Sequence, residues 1–100
     1  TAAEFIAGNY SRPISAEDIA AYAGLSRSAL YRGFRRLLGV SPQQLVITCR
    51  IDKASALLRD TDTPIAGVAR SVGFEDPLYF SRAFKIAQGC SPSEYRLRAK

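Results

Sequence analysis

Histidine is missing from the 100 residues, and cysteine occurs only as Cys49 and Cys90. The two cysteines share no metal-like spacing, and without imidazole nitrogens a zinc site lacks ligands. The same lack removes the base from any Ser–His or Cys–His nucleophile pair. No metal cluster or phosphate-binding glycine loop is written in the chain either, so neither an enzyme nor a cofactor is expected. Both thiols are expected to be reduced, as in a cytoplasmic protein. No apolar run approaches the roughly 18–20 residues that span a bilayer, and no signal-peptide pattern occurs, so no membrane partner is expected. Strand signals and low-complexity stretches are absent too. The first residue is Thr1 rather than methionine, as expected of a fragment of a longer protein or a processed product.

One pattern is present twice. The first copy covers residues 14–25, a turn, and residues 30–35, and ends Gly39, Val40, Ser41, Pro42. The second covers residues 65–74, a turn, and residues 80–85, and ends Gly89, Cys90, Ser91, Pro92. The offset is 49 residues before the turn (Gly24 to Gly73) and 50 after it (Arg32 to Arg82, Phe34 to Phe84, Pro42 to Pro92). The second turn therefore carries one extra residue. Each copy reads as a short helix, a glycine-containing turn and a second helix with basic residues outside, the sequence form of a helix-turn-helix. Two such units in a chain of one domain's length point to DNA.

Apolar residues recur at intervals of three and four, so the chain is predicted to be all helical. A first helix is expected over 3–9, before Pro13. Ser15, with Asp18 three positions on, forms a capping box for a helix over 16–23 that stops at Gly24. Ser26 caps a helix over 27–38, ended by Gly39. Its residues Leu30, Phe34, Leu37 and Leu38 make one apolar stripe, with Arg27, Ser28, Tyr31, Arg32 and Arg35 away from it. Ser41 and Pro42 start a long helix to about residue 59. Ile47, Ile51, Ala54 and Leu58 mark its buried face, widened by Leu57. Thr61, Asp62, Thr63 and Pro64 break it. Helices over 65–72 and 77–88 follow, the latter capped by Glu75 or Asp76 with Phe80, Phe84 and Ala87 as its buried stripe. A last helix over 92–98 is expected to pack through Tyr95 and Leu97. The fold class is thus all-α: seven helices, with helix-turn-helix units at about 17–38 and 64–87 joined by a linker helix at about 42–59. Eighteen helical residues span roughly 27 Å. That length suits a rod holding two readers about one DNA turn, roughly 34 Å, apart.

Net charge is +5, and its placement is informative. Arg27, Arg32, Arg35 and Arg36 lie between Ser26 and Gly39 with no acid among them. Such a cluster on a helix-turn-helix is better explained by phosphate and base-edge contacts than by a solvated face.

The run Gly73-Phe74-Glu75-Asp76-Pro77-Leu78-Tyr79-Phe80-Ser81-Arg82-Ala83-Phe84-Lys85, followed by Gly89-Cys90-Ser91-Pro92-Ser93-Glu94-Tyr95-Arg96, resembles the DNA-binding domain of the AraC/XylS family of bacterial transcription regulators. The upstream segment Ala20-Ala21-Tyr22-Ala23-Gly24-Leu25-Ser26, with Arg32-Gly33-Phe34-Arg35 and the linker's Arg50, Ala54, Leu57 and Leu58, agrees. The resemblance covers nearly the whole chain. It implies recognition helices over 27–38 and 77–88 in successive major grooves of promoter or operator DNA. It also implies a separate N-terminal sensor or dimerisation domain, absent here, and RNA polymerase as a partner. By position, Ser28, Tyr31 and Arg32 fall where the first unit reads bases, and Pro77, Leu78, Ser81 and Arg82 where the second does. The family often has polar residues where Pro77 and Leu78 stand. Neither can donate to a base edge, so the first unit is expected to dominate affinity. The second is left with Arg82 and a thymine methyl for Leu78.

Arg32 and Arg82 occupy matching positions, and the guanidinium–guanine pair is the commonest specific contact. The plainer alternative is an exposed or internally paired arginine. Tyr31 has two readings, a base or phosphate contact or packing on the domain surface. Arg27, Arg35, Arg36, Arg50 and Lys85 are candidates for phosphate. Arg36 could equally be solvated, and Arg50 could be held in an internal ion pair. Phe34, Phe74, Phe84 and Tyr95 are expected in the core. Glu17 and Asp18 face different ways, which suits capping rather than a catalytic dyad. A protein-interaction module is the second functional reading, and an exposed apolar or acidic patch away from the recognition helices would favour it.

Overall fold

The computed structural model describes residues 1–99. It contains α1 (Ala2–Asn9), α2 (Ala16–Ala23), α3 (Arg27–Leu38), α4 (Pro42–Asp60), α5 (Ile65–Ser71), α6 (Pro77–Gln88) and α7 (Pro92–Ala99). No described residue lies in a strand. The chain forms two compact units, Thr1–Cys49 and the part from Arg50 onward, and the boundary falls inside the unbroken helix α4.

In the first unit α1 packs on α2, and α2 on α3. Ser15 caps α2 as the sequence predicts. Its hydroxyl accepts the Asp18 N–H at 3.1 Å, and the Asp18 carboxylate accepts the Ser15 N–H at 2.9 Å. Gly24 then takes φ 70°, a conformation that a Cβ would strain. This lets Leu25 N–H reach back to the Ala20 carbonyl at 2.9 Å, the bond of a Schellman turn. Ser26 starts α3 by accepting the Ala29 N–H at 3.1 Å. The core is Ile6, Ile19, Ala20, Leu30, Phe34 and Val46, with Phe5, Ile14 and Leu45 packed at its margin. Each fully buried aliphatic or aromatic side chain contributes about 1.5–3 kcal/mol relative to exposure.

The second unit repeats this with α5, α6 and α7, packed α5 on α6 and α6 on α7. Phe74 N–H bonds the Ala69 carbonyl at 2.9 Å, the counterpart of Leu25 to Ala20. The extra residue is absorbed between Gly73 and Asp76. Of the two capping candidates it is Asp76 that caps α6, accepting the Leu78 N–H at 3.0 Å. Ser91 starts α7 as Ser41 starts α4; each hydroxyl accepts the N–H three residues on at 3.1 Å. Phe74, Phe80, Phe84 and Tyr95 form a chain of rings with centroids 5.2, 5.7 and 5.3 Å apart. Ile51, Ala54, Leu58, Val68, Ala69 and Val72 are buried as well.

The predicted stripes are longer than the ones that form. Leu30 and Phe34 are buried, but Leu37 and Leu38 are exposed. Phe80 and Phe84 are buried, but Ala87 is exposed. The last turn of α3 borders an open apolar cleft that the start of α1 and the end of α2 line without closing, so Leu37 and Leu38 stay in water, and Ala87 holds the matching position on α6. Leu97 is exposed too. Pro92, Tyr95 and Arg96 face inward at i, i+3 and i+4, which turns position 97 outward. On α4, Val46 joins the core, while Ile47 and Leu57 are half-buried. Helix α5 ends at Ser71 and Val72 enters the turn.

Candidate nucleic-acid interface

Burying Leu30 and Phe34 orients α3 so that Ser28, Arg32, Arg35 and Arg36 are exposed on its other sides. Tyr31 is half-buried. No acid lies among these arginines in sequence, yet one meets them in space. The Glu17 carboxylate, from α2, lies 3.2 Å from the Arg27 guanidinium. Arg27 also sits over the Tyr31 ring, 5.5 Å from its centroid. Hydrogen bonding to Tyr31, then the Glu17 charge, raises the Arg27 pKa further. The Tyr31 hydroxyl accepts a hydrogen bond from the Gln43 amide on α4. That bond first, and Arg27 second, pull the phenol below its usual range. Tyr31 therefore packs on the surface of its unit through Arg27 and Gln43 while part of its ring stays open to solvent. Sequence reasoning missed Glu17 and Gln43 as members of this group. Helical spacing pairs Arg27 with Tyr31, four apart, but carries no signal across helices.

In the second unit Pro77, Leu78, Arg82 and Lys85 are exposed and Ser81 is half-buried. Leu78, 68% exposed in the first turn of α6, leaves a large apolar side chain in water. Arg50 is different from the other cations. It is half-buried, its guanidinium 5.6 Å from the Phe74 ring centroid, and burial lowers its pKa. A phosphate role for Arg50 competes with this internal contact. Arg59 donates to the Tyr95 hydroxyl at 2.9 Å, and Arg96 Nε donates to the Leu58 carbonyl at 3.1 Å, so both tie α7 to α4.

The end of α3 also borders an apolar cleft of about 300 Å³, lined by Ala2, Ala23, Leu25, Phe34, Leu37 and Leu38 among others. Among the described residues no group of three or more His, Cys, Asp or Glu could hold a metal ion. No helix of the described residues is long and apolar enough to cross a membrane.

Two helix-turn-helix units, each presenting an exposed arginine from the outer face of its second helix, define a DNA-binding domain. The family model described as a helix-turn-helix domain matches residues 19–98. The chain belongs to that family, as a DNA-binding domain of the AraC/XylS transcription regulators. It is 42% identical over 95 residues to the lactose operon transcription activator of Staphylococcus xylosus, covering 95% of this chain and 34% of that protein. It is 49% identical over 79 residues to the arabinose operon regulatory protein of Escherichia coli K12, covering 79% of this chain and 27% of that one. It thus spans about a third of the length of these relatives. The C-terminal domain of AraT, a response regulator from Geobacillus stearothermophilus, superimposes with a TM-score of 0.91 at 36% identity, covering 97% of this chain and 81% of that one. The DNA-binding domain of the global transcriptional factor AdpA, solved in complex with a target DNA, gives 0.91 at 32% identity, with 97% and 87% covered.

Proposed function

We propose that this domain reads promoter or operator DNA sequence-specifically, with α3 and α6 as recognition helices in successive major grooves. The observation that carries the reading is the repeated surface. Arg32 and Arg82 are exposed at equivalent positions of two helices anchored by equivalent buried pairs, Leu30 with Phe34 and Phe80 with Phe84. The helix-turn-helix units are 17–38 and 64–87, and 42–59 is the spacer that sets their separation. Ser28, Tyr31 and Arg32 read bases in the first box; Ser81, Arg82 and the Pro77 and Leu78 surface touch the second. Arg35, Arg36, Lys85 and Arg50 are assigned to phosphate, Arg50 the least accessible of them; Arg27, paired with Glu17, reaches phosphate only when that pair opens. The full-length protein is cytoplasmic and carries a sensor or dimerisation domain, with RNA polymerase as a protein partner. The support for the further domain is that curated operon regulators of this family are about three times as long.

The test is a fluorescence titration of duplex DNA across a salt series. Arg32→Ala is expected to cost about 1–3 kcal/mol and to relax specificity at one position. Unchanged affinity and specificity would remove Arg32 from the interface. A protein-interaction module is the second reading, and the exposed Tyr22, Leu25 and Leu97, which lie outside both recognition helices, are the features that favour it. It predicts partner binding that survives loss of both Arg32 and Arg82.

A further inference from the structure

The group around Tyr31 exists in one copy of the repeat only. At the positions equivalent to Glu17, Arg27, Tyr31 and Gln43 the second copy has Ala66, Pro77, Ser81 and Ser93. The core and the reading arginine were kept in both copies, but a carboxylate, a guanidinium, a phenol and an amide from three helices meet in the first alone. The contacts run from Glu17 to Arg27 at 3.2 Å, from Arg27 to the Tyr31 ring at 5.5 Å, and from Gln43 to the Tyr31 hydroxyl. Glu17, Arg27 and Gln43 are exposed, so none is there to fill the core.

We infer that Gln43 and Glu17 are positioning residues for DNA reading: Gln43 fixes the Tyr31 ring against its base, and Glu17 holds Arg27 over that ring and away from the phosphates. The inference rests on Tyr31 lying at the DNA surface, as proposed above. A tyrosine turns about two side-chain torsions, and a base contact by a ring free to swing loses discrimination to the freedom it gives up. Gripped at its hydroxyl by Gln43 and at its face by Arg27, the ring is ordered before DNA arrives. Glu17 has the opposite effect on affinity. Its charge neutralises Arg27 and repels the phosphate backbone, so it weakens binding to every sequence while sharpening the choice among them. The first recognition helix is tuned toward specificity at a cost in affinity, and the second, lacking the group, is not.

The probe is a 30-base-pair duplex selected by the unsubstituted chain, with its single-base variants across the first box. Glu17→Gln is expected to tighten binding to all duplexes. It should also steepen log K against log salt by about 0.9, the increment of one phosphate contact. Gln43→Ala is expected to lower discrimination at one base position roughly tenfold, the scale of one polar contact, with binding to unrelated duplexes unchanged. Gln43→Glu keeps an acceptor within reach of the Tyr31 hydroxyl and is expected to restore most of it. In a Tyr31→Phe background Gln43→Ala should have no further effect. Melting curves of all variants are expected to match the parent. The inference is overturned if Gln43→Ala weakens all duplexes equally, if its effect persists in Tyr31→Phe, or if Glu17→Gln leaves the salt slope unchanged. If Tyr31→Phe alone costs discrimination and Gln43→Ala does not, Gln43 fails and Tyr31 stands. If neither changes any base preference, the base-reading role of Tyr31 fails and takes the inference with it.

Discussion

Arg32 and Arg82 stand at equivalent positions, yet their neighbours make them unequal. Arg32 is followed by Arg35 and Arg36 on an exposed face, whereas Arg82 shares its helix with Lys85 and with Ile86, which is 87% exposed. Arg82→Ala is expected to remove most of the discrimination in the second box, because Pro77 and Leu78 have no donor to offer a base edge. Arg36→Ala is expected to weaken binding uniformly and to reduce the salt slope by about 1, as a phosphate contact does. Quantitative titration over single-base variants separates these two outcomes. The arginine cluster was legible in the sequence because local charge density needs no fold to be seen. The partner of Arg27 was not, because Glu17 approaches it across the turn from another helix. Arg50 likewise gives no sequence sign of its place over Phe74.

At the scale of elements, most boundaries follow from capping chemistry that is written locally. Ser15 with Asp18, Ser26, Ser41 and Ser91 each accept a backbone N–H at a helix start, and Gly24, Gly39 and Gly89 end helices at positive φ. Gly24→Ala is expected to destabilise by more than about 1 kcal/mol, since alanine is strained at φ 70°. A denaturant titration followed by circular dichroism measures this. The Asp18 pKa is lowered first by the Ser15 backbone N–H and then by its hydroxyl; the Glu94 pKa is lowered by the same two groups of Ser91, hydroxyl first. Because both are lowered on folding, their stabilisation is full above the ordinary carboxylate pKa and is lost as pH falls through the folded values. Melting temperature is therefore expected to be flat near neutral pH and to drop in acid, with a smaller drop in Asp18→Asn. Buried stripes were less legible than caps. Periodicity marks which side of a helix is apolar, but not how far a partner extends along it. Leu37, Leu38, Ala87 and Leu97 were therefore expected inside and lie outside.

For the whole molecule, the repeat predicts two readers of unequal power on one linker helix. Core loss in either unit should unfold that reader: Phe84→Ala, at a fully buried ring, is expected to cost about 3–5 kcal/mol. The all-helical class and the doubled motif were open to sequence reading because each copy is a short, local design repeated at a fixed offset. The most direct test is selection and sequencing from a randomised pool of duplexes about 30 base pairs long, at physiological salt. Two short boxes about 10–11 base pairs apart are expected, the first richer in fixed positions than the second. A single box, two boxes at variable spacing, or no enrichment with binding that vanishes as salt rises would contradict the two-reader account.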